Sequence, residues 1–343
     1  MGYPTLQYSR TEVDQAGATL VNGTVAKNLI DEALAVISNF RSSHSFPLNI
    51  LTMRLRRKSK VVSPNSLVAQ RIKRLSSISA KLRRFSGLRL SQMQDIGGCR
   101  AVLSSVQEVQ EMVEQFKHGS IRHELARTDD YIVQPKDSGY RGVHLIYKYV
   151  SDRKETYNGL KIEIQIRSQL QHAWATAVET VGTFIQQALK SSQGEEDWLR
   201  FFALMGSAIA YREHGELVPD TPRDELELKN ELRHYVELLE VEQHLHTYGA
   251  ALQTFENEAL AGAHYYLLEL DPTEKKVKVV GYKQAQLFDA EEDYLALERQ
   301  ISERPGKDAV LVSVESLEAL HRAYPNYFLD TNLFIEVVKT AVE

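Results

Sequence analysis

Apolar positions in the first forty residues recur at helical spacing: Val13, Ala16 and Leu20, then Ile30, Ala33, Val36 and Ile37. Thr11 can cap this run and Gly23 interrupts it, so the pattern predicts helix over 11–40, followed by a loop over 42–47. A second helix is expected from Ser63, because Pro64 suits a first turn and Val68, Ile72, Leu75, Ile78 and Leu82 form one stripe. At about 100° per residue Arg71 falls inside that stripe. Either the helix breaks near Ser76 and Ser77, or Arg71 points into a cleft.

The middle third changes period. Gly97 and Gly98 lead into an apolar run, 99–103, that suits a buried strand; 106–116 is helical, and 143–150 and 160–167 are strand-like, joined as a hairpin through a polar turn over 151–159. Helix is expected over 170–189 and 198–211, with a loop over 191–195 between them. A linker, 218–222, leads into a long helix over 224–254. Next come a hairpin of 265–270 and 276–282, a helix over 285–301, a strand over 309–314, a helix over 316–323 and a closing helix from Asp330. A mixed sheet with helices packed on it, followed by a separate small α/β module, is the economical reading.

Composition adds exclusions. The longest charge-free apolar stretch, 201–211, is about half of the roughly 20 residues a bilayer helix needs. The N-terminus has no basic-then-apolar signal design, and Leu6 breaks the myristoylation pattern. The single cysteine, Cys99, excludes an intramolecular disulfide framework and suits a reducing, cytoplasmic setting. Net charge is −5, which taken alone argues against a nucleic-acid partner. Its distribution argues otherwise. Residues 33–94 carry thirteen Lys or Arg and no acid, whereas from Glu213 onward there are 27 acidic and 12 basic residues, a net of −15. Such segregation fits polyanion binding at one end and a covering or competing domain at the other; it also fits two ordinary solvated surfaces of opposite sign.

No Walker A loop, dinucleotide glycine fingerprint, metalloprotease helix or nucleophile elbow is present. Three segments instead place polar residues where a strand or its edge should be apolar. In 161–167, alternation turns Ile162, Ile164 and Ile166 to a core and lines up Glu163, Gln165 and Arg167 opposite, as a working surface or merely a wet one. Asp95 supplies a second acid. Two carboxylates, with water and phosphate completing the octahedron, suit Mg²⁺ bound to nucleotide phosphates, although Asp95 before Gly97 and Gly98 also suits a turn. In the loop 135–142, Tyr140 stands among Lys136, Arg141 and His144, where it could stack a base or simply pack beneath the loop. Arg71, Lys73, Arg74, Lys81, Arg83 and Arg84 could neutralise a triphosphate that no P-loop is present to hold.

Arg71-Ile-Lys73, Ser77-Ile-x-x-Lys81-Leu, Asp95-Ile-Gly-Gly-x-Arg100, Asp130-Tyr-Ile-x-x-Pro-Lys136, Ser138-Gly-Tyr140-Arg141-x-x-His144 and Glu163-Ile-Gln-Ile-Arg167 together resemble the ordered motifs of the RelA/SpoT synthetase domain. Arg74 and Ser168 depart from the usual pattern. The resemblance spans about 60–185. It implies a nucleotidyltransferase-like mixed β-sheet with flanking helices, which together with the small C-terminal α/β module gives an α+β fold. The implied activity is a pyrophosphokinase that moves the β,γ-pyrophosphate of ATP onto a ribose 3′-hydroxyl. By that likeness Arg71, Lys73, Lys81 and Arg100 would hold ATP, and Asp95 and Glu163 would bind Mg²⁺ as the catalytic pair, with Glu163 also able to accept the hydroxyl proton. Lys136, Tyr140, Arg141, His144, Gln165 and Arg167 would hold the acceptor.

The tail, with Tyr324-Pro-Asn-Tyr327, resembles the C-terminal module of CapRel-type fused toxin–antitoxin proteins. This second likeness divides the chain into an N-terminal helical region (1–60), a synthetase or toxin domain (61–215), a long linking helix (216–262) and an antitoxin-like sensor module (263–343). It implies that Tyr324 and Tyr327 block the ATP site, that the acceptor is the 3′ end of tRNA, and that a phage capsid protein is the trigger, in a cytoplasmic protein without a membrane partner. A small alarmone synthetase acting on GDP or GTP, and an inactive RNA- or capsid-binding sensor, are the alternatives.

Overall fold

The computed structural model describes residues 3–22, 26–119, 121–188, 195–249, 253–256, 262–301 and 307–343. Three helices open the chain: α1 (Arg10–Val21), α2 (Lys27–Ser42) and α3 (Ser45–Val62). Then come β1 (Leu67–Ile72), α4 (Leu75–Arg84), β2 (Gly97–Leu103), α5 (Val106–Lys117), β3 (Glu124–Asp130), β4 (Val143–Lys148), β5 (Lys161–Ser168), α6 (Gln169–Ala188) and α7 (Glu195–Arg212). The remainder is α8 (Glu225–Leu238), α9 (Val241–Gly249), β6 (Gln253–Glu256), β7 (Tyr265–Asp271), β8 (Lys276–Tyr282), α10 (Leu287–Ile301), β9 (Asp308–Ser313), α11 (Leu317–Ala323) and α12 (Asn332–Val342).

Among the described residues the strands form one mixed sheet in the order β3-β4-β5-β2-β1-β9-β7-β8-β6. The expected β4–β5 hairpin is there, antiparallel, and β2 joins β5 in parallel. Ile162, Ile164 and Ile166 are fully buried, as the alternation requires.

Several expectations are corrected. The segment 67–72 is a strand, not the start of a helix. It is an inner strand covered on both sides, so Val68 faces one apolar cluster while Leu67 and Ala69 face another; a spacing of four satisfies period two as well as a helical stripe. Arg71 is therefore no anomaly, since alternation puts it on the face of Leu67 and Ala69. The loop over 42–47 shrinks to Ser43 and His44, because α3 begins at Ser45 with Pro47 in its first turn, where a missing N–H costs little. Strand β3 had no apolar signal, being a polar edge strand. The long helix over 224–254 divides at Glu240, whose φ of 43° lies in the left-handed region, and 253–256 is strand. Of the loop over 191–195, residues 191–194 lie outside the described residues, as does Gly23, and Glu195 starts α7.

The tail is not set apart. Antiparallel pairing of Gln70 with Ser313 and Arg71 with Val312 makes its strands a continuation of the sheet formed by β1–β5. Helix α12 returns to pack in one apolar cluster with α6, α7 and α8. The segregated charges meet across the same seam: Arg56 pairs with Glu315 at 3.1 Å, Arg74 with Asp308, and Arg41 with Glu298 at 2.7 Å. Arg41 and Glu298 are 3% and 7% exposed, and Glu298 also accepts from Tyr294 and from the N–H of Leu75. Removing one partner of a buried pair leaves the other charge uncompensated, so Glu298→Ala is expected to lower stability by about 3–5 kcal/mol, seen as a fall in the thermal unfolding midpoint.

Candidate active site

Strand register assembles the site. Arg71 lies beside Gly98 and Gly98 beside Glu163; one row on, Arg100 lies beside Gln165 and Gln165 beside His144. Neighbours in register share a face, so residues from four strands converge on one polar surface. A side chain built at Gly98 would meet nothing within 4 Å, which leaves open space between Arg71 and Glu163.

Along β4 and β5, Glu163 Oε1 is 3.0 Å from His144 Nδ1, and Gln165 Nε2 donates to Glu163 Oε2 at 2.6 Å. Tyr140 Oη and His144 Nε2 are 2.5 Å apart. Arg167 donates to both Tyr140 Oη, at 2.8 Å, and Gln165 Oε1, at 2.9 Å. Lys136 is exposed and sits 5.0 Å from the centre of the Tyr140 ring. Burial pushes the Glu163 carboxyl up, but the hydrogen bond and charge of His144, with Gln165 and Lys73, hold it at about 2. Such a carboxylate stays ionised through neutral and mildly acidic pH. It is a weak base, so this geometry suits cation binding better than proton removal.

Arg141 stands apart from this group. Its buried guanidinium donates to the carbonyls of Ile132, at 3.2 Å, and Glu216, tying the loop to the segment that follows α7.

At the entry to β2, Lys73 and Lys81 each lie 3.0 Å from Asp95 Oδ2. Asp95 Oδ1 is buried and has no hydrogen-bond partner. Among the described residues no group of three or more His, Cys, Asp or Glu gathers into a metal site. Two carboxylates, one with an orphaned oxygen and the other held ionised, are nevertheless a suitable protein contribution to Mg²⁺, which takes its remaining ligands from water and phosphate.

The tail is seated on Arg100 and Arg74. Tyr324 places its ring 5.2 Å beneath the Arg100 guanidinium and donates to the Gln70 carbonyl at 3.3 Å, while Arg100 donates to the Ala323 carbonyl. Burial and the nearby Arg167 and Arg71, opposed by Tyr324, bring Arg100 down to about 10. It therefore remains charged at neutral pH. Tyr327, fully buried, accepts from Arg74 at 3.0 Å and donates to Asp308 at 2.9 Å. Arg74 was legible as one cation of the basic stretch and as a departure from the motif pattern; its place as the partner of Tyr327 was not. His172, whose Nε2 is 3.2 Å from the Arg322 carbonyl, went unnoticed because it is one polar residue on an otherwise amphipathic helix.

Residues 70–182 match a family model described as "Region found in RelA / SpoT proteins". The chain is 34% identical over 116 residues to the GTP pyrophosphokinase YjbM of Bacillus subtilis (strain 168), covering 33% of this chain and 54% of that protein. It is 30% identical over 120 residues to the GTP pyrophosphokinase YwaC of the same organism, covering 35% and 53%. The chain thus spans about half the length of the curated relatives it matches. Among solved structures it is similar to the small alarmone synthetase 1 of Bacillus subtilis bound to its product pppGpp, with 25% identity, a TM-score of 0.42, and 50% and 89% of the two chains covered. A GTP pyrophosphokinase family protein from Streptococcus pneumoniae matches with 25% identity, a TM-score of 0.37, and 61% and 91% covered. No helix among the described residues is long and apolar enough to cross a membrane.

Proposed function

With residues 70–182 forming a RelA/SpoT region, we propose that this chain is a pyrophosphokinase that transfers the β,γ-pyrophosphate of ATP to the ribose 3′-hydroxyl of a guanine nucleotide. We propose also that its own tail holds the donor side shut. The observation that carries the reading is the single face on which Asp95 and Glu163, the cations Arg71, Lys73, Lys81 and Arg100, and the Tyr140 loop converge.

The 3′-oxygen attacks the β-phosphorus, the bond from that phosphorus to the α,β-bridging oxygen breaks, AMP leaves, and the hydroxyl proton passes to solvent. Mg²⁺ held by Asp95 and Glu163 would neutralise phosphate charge as it shifts. Lys73 and Lys81, drawn off Asp95, would meet the phosphates, and Arg100, freed of Tyr324, would add a further donor. Tyr140, braced by Arg167 and His144, would orient the acceptor base, leaving in-line positioning as the main contribution of the protein.

The names of the curated relatives support the guanine nucleotide as acceptor. A second acceptor, the 3′ end of tRNA, is favoured by a cleft of about 680 Å³ beside Lys81, lined by Arg84, Arg127 and the exposed Phe85 and by no acid. A phage capsid protein as the factor that lifts the tail is proposed on the likeness of the Tyr324–Tyr327 segment alone.

The test uses the full chain carrying Tyr324→Ala and Tyr327→Ala, with γ-labelled ATP and either GDP or bulk tRNA. Label on GDP supports the primary reading. Label on tRNA only would replace it with the second, and no label on either, with no AMP formed, would leave an inactive binding protein.

A further inference from the structure

One apolar cluster runs from the acceptor-side tyrosine to the last helix of the chain. Trp174 of α6 meets Tyr140 edge-on with ring centres 6.2 Å apart, and meets Phe202 of α7 at 5.9 Å. Phe202 in turn meets Phe334 of α12 at 6.0 Å. Trp174, Phe202 and Phe334 are all buried.

The backbone makes the same connection. Trp174 Nε1 donates to the Phe202 carbonyl at 2.9 Å, and a Cβ placed on Gly139 would lie 2.5 Å from that oxygen. Gly139 has φ of +90°, and its Cα would be 2.7 Å from a Cβ placed on Gly206 of α7. The loop that presents Tyr140 is thus pressed directly onto α7, and α12 supports α7 through the rings. Interiors packed this closely pass a displacement on rather than absorb it.

We propose that Phe334 is a positioning residue for the acceptor side, setting the Tyr140 ring through Phe202 and Trp174. This rests on reading Tyr140 as the platform for the acceptor base. The tail then has two opposed effects. Its Tyr324–Tyr327 segment engages the donor-side arginines, while its last helix holds the acceptor loop in place. Removing the whole tail is therefore not equivalent to lifting the two tyrosines.

The test adds Phe334→Leu or Phe334→Ala to the full chain carrying Tyr324→Ala and Tyr327→Ala, with GDP as the acceptor. KM for GDP is expected to rise about tenfold in Phe334→Ala and less in Phe334→Leu, because small misplacements of a binding group are costly. KM for ATP should stay within about twofold. Amide hydrogen exchange, which needs no turnover, should quicken across residues 131–142 while residues 75–84 are unchanged. A parallel rise of both KM values, or faster exchange confined to α12 and α7, would overturn the proposal. If the parent transfers no pyrophosphate but residues 131–142 still respond, the pyrophosphokinase reading fails and the link from Phe334 to the loop stands.

Discussion

Replacing Tyr324 and Tyr327 together by alanine is expected to raise AMP formation from ATP by about 10²-fold. A desolvated cation–π contact is worth about 2 kcal/mol, and a hydrogen bond to a charged group about 1.5–3 kcal/mol. The tyrosines supply both kinds of contact, one to Arg100 and the other to Arg74. Losing about 3 kcal/mol of closed-state stability is worth about two powers of ten. Both side chains are buried in the apolar cluster that the tail shares with Leu67, Ala69 and Val102 of β1 and β2, so the alanines also loosen the seating of the tail. Tyr327→Phe separates the two effects: it keeps the ring and removes only the hydroxyl between Arg74 and Asp308, and should give a smaller but clear rise. Turnover that is unchanged in both variants would mean that the tail does not govern the donor side.

In that released background, Glu163→Gln is expected to cut transfer by about 10²–10³-fold, the usual cost of deleting one preorganised charge partner at a reacting centre. The amide is isosteric and Gln165 still has a neighbour to bond, so the fold and the thermal midpoint should be retained. Steady-state turnover against unfolding temperature separates these outcomes. A variant that unfolds early would mean that Glu163 serves the sheet, and one that turns over normally would remove it from the reaction.

How much of this could be read from residue order depends on the kind of signal. The polar face of β5 was legible because alternation is strict where Ile162, Ile164 and Ile166 fill a core. The charge segregation was legible as a count, and its meaning emerged as contacts, with Arg41, Arg56 and Arg74 of the basic stretch meeting Glu298, Glu315 and Asp308 of the tail. Strand β1 was misread because an inner strand buried on both faces loses its period, and its short apolar run imitates a helical stripe. The continuation of the sheet from β1 to β9 had no local signature, since pairing partners about 240 residues apart are set by tertiary packing. Arg141 fell into the wrong group for a related reason. Its neighbours Tyr140 and His144 bond to each other and to Arg167 and Glu163 of β5, and nothing in the loop's composition indicates that its own guanidinium turns back to the carbonyls of Ile132 and Glu216.

If residues of the tail occupy the place of the donor nucleotide, they compete with it for Arg100. The most direct measurement of that competition is the equilibrium affinity of the full chain for a non-hydrolysable ATP analogue, with Tyr324 and Tyr327 intact and with both replaced by alanine. Binding at least about tenfold tighter is expected in the double variant, since each 1.4 kcal/mol of released competition is worth a factor of ten. Equal affinity in the two proteins, at a value tight enough for turnover, would contradict it.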